Sequence, residues 1–578
     1  MFGLRAVVLA VALREVLSKP LFARNSSRKF QDDYWPQMKK LFLQEGSPKY
    51  PVPPSNKVTD LLSELHGVKG LMVHTAPDVT VTEGQGYAML AAGMARDLHS
   101  LKGLTVGWQA IGQGFADTPA CGGCGVNKDA WFPAKDICTG KFKTPCLCKT
   151  VPGAYMPGWD SPFTQPSAMG SATDGDEDAV TGLIYLAELM GSEELREYAV
   201  KSIAAFVLED LGFADPEKNS RPTPAQGDIP ETLQTMYLWR GGSCWGGYDT
   251  SSPNLPEDRN LCINPAYFSP GEWRLFQTYL KAHAHYVPSG HTAEELIAVL
   301  ESSIVWGYNT INRITCPSGL VSNWWTVPDK GWPWHGELKC KNSGTESGAY
   351  YSDAARLPWR VALDYIWFAD AATAPLFDDH GKKIGTWGAK EYANRWARAW
   401  MKKIVEASPK GSYPPLNSQV LPLRKDQVLP LLSNVPTCDK CPKGFTAPPW
   451  NAWGSYSVST TFQVPLDGVG ATTMQQWTDF IAHLSADGCS TGQYFDLGQQ
   501  VVVSQMLAGS AWWPLSKSAA QAKFVMAVSA PSATSRRWPL VAALAALAAV
   551  AGGVGAVTAF SRYLWRRPTE CDPASLGL

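Results

Sequence analysis

Helical periodicity recurs nine times between residues 84 and 508, and that repetition limits the fold more than any other feature. Apolar residues return every three or four positions in 84–98, 177–190, 192–209, 270–284 and 292–308, then in 353–371, 389–406, 472–486 and 496–508. Alternating strand patterns are scarce, and no low-complexity linker divides the series. The pattern predicts one large all-α domain over residues 31–517. Two long loops interrupt it. Residues 110–172 carry five cysteines, and residues 408–464 are rich in proline and contain Cys438-Asp439-Lys440-Cys441. Both read as stapled excursions from a helical scaffold, where specificity tends to reside.

The ends of the chain read differently. An uncharged run of 24 residues, 538–561, is long enough to cross a bilayer with some tilt. Arg536 and Arg537 precede it; Arg562, Arg566 and Arg567 follow and favour a short cytosolic tail over 562–578. The Ala/Ser-rich stretch before it makes 518–537 a stalk. Residues 1–24, with Arg5 ahead of a short apolar run, read as a signal peptide. Twelve of the 13 cysteines precede the span and only Cys571 follows it. An even set on one side suits disulfides in an extracellular or lumenal compartment. Zinc is the competing reading of Cys121-Gly122-Gly123-Cys124 and of the Cys438–Cys441 pair, although no histidine lies near either. Formal net charge is −1, so nothing favours a nucleic-acid partner. Oligomeric state is not legible. The 24 Trp and 20 Tyr fit a groove that stacks sugar rings, while for any single Trp core packing is the simpler reading.

Three acidic motifs open or precede helices. They are Glu83 in Val-Thr-Glu-Gly-Gln-Gly-Tyr, Asp174 in Ser-Ala-Thr-Asp-Gly-Asp-Glu-Asp-Ala, and Asp353, with Arg356 three residues later. Each has a plain structural reading: a helix cap, a solvated helix start or calcium loop, and a surface ion pair. Together they suit cleavage of a glycosidic bond, which takes one protonated carboxyl for the leaving oxygen and a second carboxylate on the opposite face. A helix N-terminus favours the anion of Glu83, so keeping it protonated calls for burial or a nearby acid, with Asp174 the candidate. The glycines beside Glu83 are expected to let backbone and sugar come close.

These segments, with Asp-Ala-Ala-Arg-Leu-Pro-Trp-Arg from Asp353, resemble the signatures of glycoside hydrolase family 8. Residues 263–276 and 319–325 resemble further family segments, so the likeness runs from about residue 81 to 512. The resemblance implies an (α/α)6 barrel, inversion at the anomeric carbon, and no metal or organic cofactor. It implies Glu83 as general acid, Asp353 as general base, and Asp174 as the aspartate that grips the distorted sugar. Arg356 would hold the base ionised, and Trp159, Tyr267 and Tyr494 would stack sugars. The expected substrate is a cellulose-like or mixed-linkage β-1,4-glucan. Chitosan, xylan, and an inactive membrane-tethered glucan-binding protein are the alternatives. Two features depart from the family: Ser352 stands directly before the base, where the family usually has Tyr, and residues 110–172 replace a short connection.

Overall fold

The computed structural model describes residues 27–28, 30–44, 62–76, 79–116, 155–157, 159–161, 171–214, 216–243, 246–248, 261–315, 321–338, 340, 348, 353–395 and 494–515. Its helices are α1 (Trp35–Leu41), α2 (Thr82–Ala95), α3 (Leu98–Ala116), α4 (Thr173–Met190) and α5 (Glu193–Glu209). They continue as α6 (Pro270–Ala282), α7 (Ala293–Ile314), α8 (Leu357–Phe368) and α9 (Tyr494–Leu507). The fold is mostly helical, as the periodicity predicts. Local chemistry sets the boundaries. Ser192 Oγ accepts from Leu195 N at the start of α5, and Thr292 and Glu295 form a reciprocal capping box on α7. Proline occupies the first turns of α6 and α8, where its missing N–H has no helical partner to lose. Gly191, with φ 67°, closes α4.

The packing follows chain order. α2 lies against α3, α4 and α9; α4 lies against α5 and α6; α6 lies against α7 and α8. In α2 every residue from Gly84 to Met94 is buried, and in α4 every residue from Thr173 to Ala187. Helices enclosed on all sides carry no amphipathic stripe. Six tryptophans, at 108, 239, 273, 306, 325 and 359, are fully enclosed, so these belong to the core.

Short strands join the helices. β1 (Leu43–Gln44), β2 (Met72–Ala76), β3 (Val79–Val81) and β4 (Asp160–Ser161) form one antiparallel sheet in that order. β5 (Ser220–Pro222) pairs with β6 (Thr235–Tyr237). β7 (Cys262–Ile263), β8 (Trp325–Thr326) and β9 (Glu337–Leu338) form a three-stranded sheet, and β10 (Thr373–Phe377) pairs with β11 (Lys383–Gly388). A disulfide joins Cys262 in β7 to Cys340, 78 residues along the chain.

The structure differs from the sequence reading in its four small sheets, which the all-α reading does not foresee, in α7, which runs six residues past 308 to Ile314, and at two further boundaries. The segment read as a loop from residue 110 begins inside α3, which runs on to Ala116. α4 begins at Thr173, four residues before its apolar periodicity starts, because its first turn buries acids. Several expectations fall outside the described residues: the signal segment, the stalk, the apolar run 538–561, the tail, Cys571, the helix at 472–486, and the ten other cysteines before the run. Among the described residues, no helix is long and apolar enough to cross a membrane.

Candidate active site

Glu83 and Asp174 are each the second residue of a buried helix, α2 and α4. Two backbone pairings fix the start of α2. Val81 pairs with Asp160 across β3 and β4, and Thr82 N donates to Trp159 O at 2.9 Å. A close approach of the two helices then brings the carboxyls together. A Cβ on Gly175 would meet Glu83 N at 2.6 Å, and one on Gly86 would meet Gly175 O at 2.5 Å. Of the glycines expected to admit a sugar, Gly86 therefore admits the neighbouring helix, while Gly84 makes room for Val73 and Tyr494.

Asp353 immediately precedes the 3-10 turn Ala354–Arg356 that leads into α8. Asn323 Oδ1 accepts from Ala354 N at 2.9 Å and steadies that turn. Asn264 Nδ2 donates to Asp353 Oδ2 at 3.4 Å. Asn264 directly follows β7, and its Oδ1 accepts from Ala266 N at 2.9 Å, opening the 3-10 turn Pro265–Tyr267.

One guanidinium connects the three acids. Arg356 Nη1 donates to Glu83 Oε1, Asp174 Oδ2 and, at 3.3 Å, the Tyr87 hydroxyl. Its Nη2 stands 3.3 Å from Asp353 Oδ1, and its Nε donates to Asp353 O at 3.2 Å. The Arg356 side chain is 1% exposed, against 3% for Asp174, 16% for Glu83 and 27% for Asp353. The plain surface-pair reading of Asp353 and Arg356 thus fails, because the cation lies inside the protein. Its planar group is also 5.1 Å from the Tyr267 ring centroid and 5.5 Å from that of Phe495.

Two phenols hold Glu83. Tyr87 donates to Oε1 and Tyr494 to Oε2, both at 3.2 Å. Burial pushes the Glu83 carboxyl up, Arg356 pulls it down, and Asp174 and Asp353 push it up, which together bring it to about 8. Burial is the largest cause, ahead of the neighbouring acid that the sequence nominates. Near neutral pH Glu83 is therefore mainly a neutral acid, while Asp353 faces the solvent side of the same cation.

The aromatic residues nominated from the motifs divide. Trp159 is half-buried and supplies the backbone carbonyl at the start of α2. Tyr267 meets Trp324 edge-on at 5.9 Å and Arg356 with its face. Tyr494, expected as a stacking platform, is a hydrogen-bond donor to Glu83. Tyr87, Asn264 and Phe495 were not singled out in the sequence. Tyr87 lies one turn after Glu83, a spacing that could have marked it.

A second arginine, Arg360, lies one helical turn after Arg356. It donates to Glu177, to Asp178 at 2.8 Å, to Glu272 at 3.4 Å and to Asp174 O at 3.2 Å. Trp273 Nε1 also donates to Glu177, at 2.9 Å. All of these charged side chains are fully buried, so the acidic start of α4 is neither solvated nor a surface calcium loop. Burial holds the carboxyls of Glu177, Asp178 and Glu272 above their ordinary range, Arg360 acting against it. Among the described residues, no cluster of three metal-ligating side chains occurs. Ser352 and both cysteine pairs weighed for zinc lie outside those residues.

No family model matches the chain. Endoglucanase A of Acetivibrio thermocellus is 28% identical over 221 residues, covering 38% of this chain and 35% of that protein. Endoglucanase 2 of Ruminiclostridium josui is 25% identical over 205 residues, covering 36% and 33%. The matched stretches thus span about a third of the length of these curated relatives. A solved β-1,3-1,4-glucanase from Paenibacillus sp. X4 is 15% identical, with a TM-score of 0.47, covering 85% of this chain and 93% of that one.

Proposed function

We propose that this chain is a family 8 glycoside hydrolase on an (α/α)6 barrel, and that it cleaves internal β-1,4 linkages of a glucan with inversion. The observation that carries the reading is the single buried guanidinium of Arg356, shared by Glu83, Asp174 and Asp353. The endoglucanase relatives and the three acidic motifs agree with it.

Glu83 enters the reaction protonated and gives its proton to the glycosidic oxygen as the C–O bond breaks. Tyr87 and Tyr494 donate to the carboxylate left behind. Asp353 takes a proton from the water that attacks the anomeric carbon from the opposite face. Asp174 holds the sugar ring beside the scissile bond, and Arg356 keeps Asp353 ionised and fixes its position relative to the acid. Proton loss from Glu83 sets the alkaline limit of turnover, and protonation of Asp353 the acid limit. Trp159 and Tyr267 line the cleft on this reading.

The disulfide and the flanked apolar run 538–561 support a single-pass membrane protein with its catalytic domain extracellular or lumenal. Protease protection in sealed microsomes tests that orientation: a protected catalytic domain supports it, and a digested one overturns it.

The direct test of the reaction is proton NMR of cellohexaose mixed with the protein. The α-anomer is expected first. A β-anomer appearing first overturns inversion and the role of Asp353. Turnover of xylan or chitosan in preference to glucan overturns the substrate.

A further inference from the structure

Behind the site lies a second pair of acids that this chemistry does not use. Asp176 is in the first turn of α4, and Asp210 caps the end of α5; they are 1% and 0% exposed. Ser171 Oγ donates to Asp210 Oδ1 at 2.6 Å. Neither oxygen of Asp176, nor Asp210 Oδ2, receives an N–H donor among the described residues. The surroundings are tightly built. Ser171 and Ser243 exchange backbone-to-hydroxyl bonds of 3.0 Å, and Thr173 Oγ1 donates to Arg240 O at 2.9 Å. Arg240 N in turn donates to Asp210 O at 2.9 Å.

We propose that Asp176 and Asp210 share one proton, and that this acid–carboxylate pair positions Asp174 by locking the first turn of α4 to the end of α5. Two buried carboxylates side by side would repel, and a shared hydrogen turns that repulsion into a bond. Among the described residues, the charged groups acting on the pair are Asp174 on α4 and Arg240 on the adjoining loop. Arg240 is the one cation among them. Burial and mutual repulsion raise Asp176 well above the ordinary range, and burial brings Asp210 to about 6, so the two titrate as a unit. Because the folded state binds the proton more tightly than the unfolded chain, the pair's contribution to stability is complete in acid. It is lost as pH rises through the folded-state values.

The inference rests on the hydrolase reading for its catalytic consequence. The test compares the full chain with Asp210→Asn, Asp210→Ala and Asp176→Ala, measuring kcat and KM on cellohexaose and thermal midpoint against pH. The Asp210→Asn amide donates a hydrogen that alkali cannot remove. That variant should keep kcat within about 3-fold of the parent and lose less stability as pH rises. The alanine variants should lose kcat by about 100-fold, the scale of a small misplacement of a reacting group. An Asp210→Asn variant as impaired as Asp210→Ala overturns the proposal, as does one whose thermal profile matches the parent's. Should an alanine variant fail to fold, the Asp210→Asn comparison still decides. A parent that cleaves no β-glucan defeats the hydrolase reading, and the thermal profiles then decide the pair.

Discussion

Glu83 is a carboxyl under opposing forces, and its two protonation states predict different things. Burial outweighs the attraction of Arg356 and, with Asp174 and Asp353, brings the group from 4.5 to about 8. Replacing it by Gln should lower kcat on an unactivated glucan by about 1,000-fold, within the range of general acid catalysis, with KM little changed. The same variant has a thermodynamic signature. The folded parent holds a proton that the unfolded chain loses above about pH 4.5, so its stability falls as pH rises from there to about 8. Glu83→Gln should flatten that slope, which thermal unfolding at several pH values would measure; an unchanged slope would assign the pH dependence to other groups. Arg356→Met should be harsher. It leaves Glu83, Asp174 and Asp353 without their common cation, at a cost of about 3 kcal/mol or more, read from denaturant unfolding.

Among elements, the contact of α2 with α4 decides the geometry. Gly175 permits it, since a methyl there would press on Glu83 N and Thr82 C, each 2.6 Å away. Gly175→Ala should therefore destabilise by about 2 kcal/mol, on the scale of overpacking, and lower kcat by more than that loss alone explains, as the two carboxyls separate. Chemical denaturation and steady-state kinetics on the same sample would separate the effects. The sequence motifs made this junction legible as three acids, but not as a helix contact. Periodicity found α5, α6 and α7 because amphipathic or capped helices announce themselves. It started α4 late, since a buried acidic turn resembles a solvated one until Arg360 is placed against it from α8. Asn264 was hidden for a related reason: its role depends on where β7 delivers it, and pairing with β8, some 60 residues along, sets that position.

At the level of the whole molecule, long-range connections hold the two halves of the reaction in register. Tyr494 reaches Glu83 from 411 residues away, and Arg356 reaches it from 273. Helical content was readable from local pattern, whereas these partnerships were not, because nothing in a segment's own composition tells which distant segment it will meet. The link between Cys262 and Cys340 is of this kind, and closing a loop of 78 residues restricts the unfolded chain by about 4.5 kcal/mol in the chain-entropy account. Cys262 stands two residues before Asn264, the donor to Asp353. Dithiothreitol should therefore lower the thermal midpoint and also reduce kcat, with Cys262→Ser alone lowering both. A molecule assembled without oxidant would carry the same acid and a less firmly aimed base. Its turnover would then report the redox history of its maturation, and preparations of equal purity could differ in specific activity for that reason alone.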